Sequence, residues 1–256
     1  MRAATERLGE LRSKGQGSHS RDRRIRVARF AVKRRIRLER NWIHGGPPDA
    51  NAGLPEGKTA ILVMDCQNDI VDENGKMAAT NKGAMARVIK EKHLLATIAR
   101  LAAAGRAARL PIIHVRHAYR PDYADVPRNI PLLRGAKKAQ SLMDGSWGAE
   151  IHPELKPEPQ DIVITKTRVS SFFASPLEAI LTAQGITHLV LTGVATDGVV
   201  EGTARDGADR GYNIVIPEDC CVGSTEEAHR VILGGILAAL TTVCKADDVI
   251  KALPSH

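Results

Sequence analysis

From residue 58 onward the chain alternates between short, almost unbroken apolar runs and longer segments of helical period. TAILVMD (59–65), PIIHVRH (111–117), DIVITK (161–166), HLVLTGV (188–194) and NIVIPED (213–219) are rich in Val, Ile and Leu and end in polar residues. Runs of that length without polar alternation fit strands buried on both faces. Residues 82–104, 176–184, 196–210 and 224–239 read as helical, and a short strand near Thr241–Cys244 makes a sixth. This order predicts a three-layer, Rossmann-like α/β fold, with a mainly parallel, about six-stranded sheet covered by helices on both faces. A loop-rich insertion at about 118–160 interrupts the alternation. Right-handed crossovers bring all strand C-terminal ends to one edge, and ligands of such sheets bind beyond those ends. That edge carries Asp65, His114, Arg116, His117, Lys166, the Val194–Val199 turn and Asp219.

Charge changes the picture at one end only. The formal net charge is +8, yet residues 1–40 hold 14 Lys/Arg against 4 Asp/Glu, and the remainder is slightly acidic. Binding of nucleic acid by the whole protein is therefore a poor inference. Residues 1–40 form a basic extension, disordered or partly helical. It reads as an arm for nucleic acid or anionic lipid, as a targeting arm, or as an incidental extension. No secretory h-region follows the charges. Residues 41–57, with GGPPDANAGLPEG at 45–57, read as a linker into a domain spanning 58–256. Aromatic residues make up 3% of the chain, so the core is built mostly from Ala, Val, Ile and Leu. No apolar run reaches the ~18 residues of a membrane span. The four cysteines, Cys66, Cys220, Cys221 and Cys244, lack C-x-x-C or zinc-finger spacing. They read as free buried thiols in a reducing cytoplasm.

Asp65 alone reads as a cap and Lys166 alone as a solvated strand end. Together they place an acid and a base at one sheet edge, where burial would couple their protonation.

Four motifs in order, ILVMDCQND, HVRHAYRPDY, ITKTRVSSFF and LTGVATDGVVEGTARDGADRGY, resemble the isochorismatase-like, or cysteine hydrolase, superfamily from about Lys58 to the C-terminus. The resemblance implies a small-molecule hydrolase in which an Asp, a Lys and a Cys cooperate. Asp65 matches the Asp and Lys166 the Lys. The cysteine belongs to T-x-x-C-V-E-x-T-A-R, which Thr196–Arg205 fits without a gap, so Val199 occupies its slot. An isopropyl group cannot attack a carbonyl. Of the native thiols, Cys66 is expected to point away from Asp65 by strand alternation, while Cys220 and Cys221 lie near the same edge. The family's non-proline cis peptide would fall at Val194–Ala195, and the amides of Ala195 and Val199 would form an oxyanion hole. Isochorismatases proper carry Gly in the slot and use water with the Asp as general acid.

The residues expected to face the substrate are Gln67, Arg116, His117, Tyr119, Arg120, Tyr123 and Phe172. Arg116 and Arg120 suit a carboxylated substrate. Trp147 in the insertion is expected to cover this pocket or a neighbouring subunit's. The family's metal pattern D-x-H-x-x-x-x-x-H is absent, and His114 and His117 should point to opposite faces, so no metal and no cofactor are expected. The resemblance also implies a homo-oligomer, dimer or tetramer. Two functional readings follow. One is a hydrolase of a small C–N (amide or urea) or vinyl-ether bond, using Asp65- and Lys166-assisted water. The other is a catalytically inactive relative that binds a small ligand or serves as a scaffold.

Overall fold

The computed structural model describes Leu54, residues 58–77 and residues 83–254. The readings of residues 1–40, and of the linker apart from Leu54, lie outside these. Seven strands form one sheet: β1 (Thr59–Met64), β2 (Ile112–His117), β3 (Ile162–Lys166), β4 (His188–Val194), β5 (Asn213–Pro217), β6 (Cys221–Val222) and β7 (Thr242–Cys244). Their order is β3-β2-β1-β4-β5-β7, with the two-residue β6 paired to the end of β4. Every ladder is parallel. β6 is the strand beyond the expected six. The run 213–219 shortens to a strand ending at Pro217, because 218–220 turns into a 3-10 helix.

The apolar runs bury both of their faces. On one face Ile61, Val63 and Ile112 pack against Ile89, Leu94, Ile98 and Leu101 of the helices Ala84–Glu91 and Leu94–Ala107, and against Val249 of the last helix. On the other, Leu62, Met64, Ile113 and Ile164 pack against Leu177 and Leu181, Ala204, and Leu233 and Leu237. The expected single helix over 82–104 is two, because His93 adopts a left-handed φ of 51° between them. The expected helix from Thr196 begins regularly only at Glu201; residues 196–200 form a wider π-type turn with Gly198 at φ −134°, ψ −105°.

Chain order reverses between β1 and β4, which creates the crevice where such sheets bind ligands. Gly193 permits the close approach there. Its φ is +130°, and a Cβ would lie 2.0 Å from the Met64 carbonyl oxygen. Any side chain would push β4 away from β1. Among the described residues no helix is long and apolar enough to cross a membrane.

Candidate active site

β1 ends at Met64, and Asp65 turns left-handed with φ 55°. Its N–H is held by the Val115 carbonyl at 2.8 Å, so the carboxylate projects at the crevice. Two strands away, Lys166 closes β3 in register with His117 of β2. Its fully buried ammonium spans the end of β2 and donates to Asp65 Oδ2 at 2.9 Å and to the Arg168 carbonyl at 2.9 Å. The acid and base at one sheet edge are thus a direct buried ion pair. Burial raises the Asp65 carboxyl above its ordinary range, and Lys166 opposes that shift. Asp65 Oδ1 is buried with no hydrogen-bond partner among the described residues.

Two further buried atoms near the pair are unpartnered among the described residues: His117 Nε2 and the Tyr119 hydroxyl. The two rings lie 4.8 Å apart. Burial holds the His117 imidazole well below its usual value, with Lys166 and Arg168 pushing the same way. Burial likewise raises the Tyr119 phenol. Both groups are therefore neutral near pH 7.

Across the crevice, β4 runs into a cis peptide at Val194–Ala195, where the motif places it. The turn is braced on both sides. Thr196 Oγ1 and His229 Nδ1 are 2.8 Å apart, and Asp197 accepts from the Ser224 backbone N–H at 2.8 Å and from its hydroxyl. The Ala195 carbonyl accepts from Gly198 and Val200. Val199 is buried, in one cluster with Phe172 and Leu177. The segment after Lys166 is fastened to the helix that follows this turn. The Ser171 N–H donates to Thr203 Oγ1 at 3.0 Å, and the Ser170 hydroxyl donates to Asp206 at 2.7 Å.

Several residues expected to face a substrate are engaged elsewhere. Both amide hydrogens of Gln67 go to backbone carbonyls, of His117 at 2.7 Å and Ala149 at 2.9 Å, and its oxygen accepts from the His117 N–H at 2.6 Å. Gln67 is thus a clamp between β2 and the insertion. Arg116 pairs with Asp144 at 2.8 Å and donates to Thr165 Oγ1. Arg120 is exposed and pairs with Asp122. Phe172 stacks on Tyr212, centroids 5.6 Å apart, under the Arg210 guanidinium. The Tyr123 hydroxyl donates to the Ser141 carbonyl. Asp219 accepts from the Ala246 N–H at the start of the last helix. His114 faces away from His117 and meets Asp161 at 3.3 Å. Trp147 is half exposed, and its carbonyl accepts from Asn68 Nδ2. The rest of DCQND also serves the insertion: buried Asp69 accepts from the N–H groups of Lys76 and Leu142, and Gly148 leaves room for its carboxylate.

Cys66, Cys220 and Cys221 are buried, and burial raises all three thiols. Cys66 packs into the core not through strand alternation but because the left-handed Asp65 ends the strand before it. The signal that sequence reading missed is Arg168, two residues beyond Lys166. Among the described residues its Nη1 donates only to the carbonyls of Asp125 and Thr167 and to the Thr167 hydroxyl.

The family description "Isochorismatase domain" matches residues 59–248. A relative named ureidoacrylate amidohydrolase RutB, from Methylobacterium radiotolerans, is 34% identical over 196 residues, which cover 72% of this chain and 74% of that protein. Among solved structures, an isochorismatase family protein from Burkholderia thailandensis matches with a TM-score of 0.63 and 30% identity, covering 79% of this chain and 98% of that one. A cysteine hydrolase from Pseudomonas syringae pv. phaseolicola shares the fold with a TM-score of 0.69 at 23% identity, covering 78% and 94%.

Proposed function

The chain belongs to the isochorismatase family of hydrolases, and on that premise we propose that it hydrolyses an amide- or urea-type C–N bond of a small molecule with water as the nucleophile. The buried Asp65–Lys166 pair carries this reading, because one carboxylate oxygen is held by the ammonium and the other is left without a partner among the described residues. The name of the ureidoacrylate amidohydrolase relative favours a C–N bond over a vinyl ether.

In this reading Lys166 keeps Asp65 ionised against the cost of burial, and Oδ1 accepts a proton from water. The water oxygen forms a bond to the carbonyl carbon, and the carbonyl electron pair moves onto its oxygen. The amides of Ala195 and Val199 stabilise that oxyanion, a role for which the Val199 side chain is irrelevant. Collapse restores the carbonyl and breaks the C–N bond while the Asp65 proton passes to the departing nitrogen. The pattern that Thr196–Arg205 fits puts Val199 in the slot expected to hold a nucleophilic cysteine. The raised Cys66, Cys220 and Cys221 thiols argue against a substitute. Acid-quenched intact-mass spectra during turnover should show only the unmodified chain. A substrate-derived adduct on any cysteine would overturn the water mechanism.

A further inference from the structure

Arginines around the described site differ in what neutralises them. Arg116 has Asp144, Arg120 has Asp122, and Arg210 has Glu178 and Asp206. Arg168 is only partly exposed, and its guanidinium has no carboxylate partner among the described residues. Its Nη1 is fixed by two backbone carbonyls and a hydroxyl, which orient the plane without cancelling the charge. Its Nε and Nη2 make no hydrogen bond to a described residue. A partly buried guanidinium is ordinarily paired, since desolvating its charge is costly. The position is also built: the Arg168 carbonyl accepts from Lys166 Nζ, and Ser170 and Ser171 anchor the following turn to the helix Glu201–Asp209. Arg168 is held to the Asp125 carbonyl, in the loop whose Tyr119 and Tyr123 rings lie 6.3 Å apart, and its charge acts on both His117 and Tyr119. These two side chains and Asp65 carry three of the six buried side-chain atoms that have no hydrogen-bond partner among the described residues, His117 Nε2, the Tyr119 hydroxyl and Asp65 Oδ1.

We propose that Arg168 receives the carboxylate of the substrate through Nε and Nη2, so that the site takes a small anionic molecule with a neutral amide or urea head. The planar fork of a guanidinium matches a carboxylate in two parallel hydrogen bonds. The head then meets complementary groups: its N–H donates to Asp65 Oδ1, and the Tyr119 hydroxyl and neutral His117 serve its remaining polar atoms. Arg168 thereby replaces Arg116 and Arg120 as the anion anchor, since those two are already neutralised by the protein. This inference rests on the hydrolase reading for the identity of the head group, but not for the anionic tail.

The test compares two probes that differ only in charge, ureidoacetate and ureidoacetamide, together with the homologous pair one methylene longer. Binding is followed by titration calorimetry and turnover by product release, with the wild-type chain, Arg168→Gln and Arg168→Lys. The wild-type chain should prefer each acid over its carboxamide by about tenfold to a hundredfold, the range of a hydrogen bond to a charged group. Arg168→Gln should lose that preference by weakening the acid alone, with carboxamide binding unchanged. Arg168→Lys should keep part of it. Charge-selective binding without turnover would sustain the anchor and sink the hydrolase reading. Turnover with no preference for the acid would do the reverse. No binding of either acid by the wild-type chain, or an Arg168→Gln variant as selective as wild type, would overturn the anchor. Should Arg168→Gln fail to fold, the wild-type acid-to-carboxamide ratio and the Arg168→Lys variant still decide it.

Discussion

Restoring a thiol at Val199 tests where the reactive centre lies. Val199→Cys exchanges two methyl groups for one sulfur in a buried, well-packed position, so the cost to stability is small, about 1 kcal/mol. Its reactivity follows from how the native thiols are set. Cys244, the least buried of the four, is raised to about 11. At pH 7.5 that leaves a thiolate fraction of roughly 3 in 10,000, whereas a thiol at 199 that the ammonium of Lys166 and the adjacent turn return to the reference value of about 8.5, against the burial of the position, is roughly a tenth ionised. The ratio is about 300-fold. A less basic thiolate is also a weaker nucleophile, and a Brønsted slope near 0.45 over 2.5 units of basicity removes about 13-fold. The net advantage is about 20-fold, before any gain from better access. Stopped-flow reaction with an aromatic disulfide reagent should therefore show one new thiol per chain that reacts at least about 20-fold faster than any thiol of the wild-type chain. A variant that folds but reacts no faster than Cys244 would refute the reasoning. Residue 199 would then not face the Asp65 crevice.

Two further outcomes follow from the buried polar groups. His117 and His114 are both held below the ordinary imidazole value of 6.5 by burial; unfolding below pH 6.5 therefore takes up protons that the native state refuses. Stability should be full above about pH 6.5 and fall as pH drops, by up to about 1.4 kcal/mol per pH unit for each histidine. Asp65, raised by burial, contributes with the opposite sign. Urea denaturation from pH 7.5 to 5 reads the slope, and His117→Gln should flatten it; an unchanged slope would remove His117 from the account. Asp69→Ala should cost about 2–5 kcal/mol, because it strands the buried N–H of Leu142 and the partly buried N–H of Lys76. A urea midpoint within error of wild type would show that Asp69 does not hold the insertion.

The strands were legible because each apolar run is short, nearly unbroken and rich in Val and Ile, a pattern that fits a sheet buried on both faces. Their polar last residues then located Asp65 and Lys166 at one edge without any knowledge of contacts. The break at Lys92–His93 was not legible, since no Gly or Pro marks it and the left-handed His93 is imposed by packing. Nor was the use of Gln67 and Asp69, whose partners His117, Ala149 and Leu142 lie about 50 to 80 residues away. The neutralisation of Arg120 by Asp122 was readable in RPDYAD. That Arg168 has no carboxylate partner among the described residues was not, because such an absence is a tertiary property.

The most direct test of the central claim is turnover of a panel of small amides and ureas by the wild-type chain beside Asp65→Asn, which keeps the shape and removes the base. The account predicts release of the amine or ammonia by wild type and a loss of at least about 100-fold in Asp65→Asn, in line with general-base catalysis. Activity that survives Asp65→Asn would contradict it.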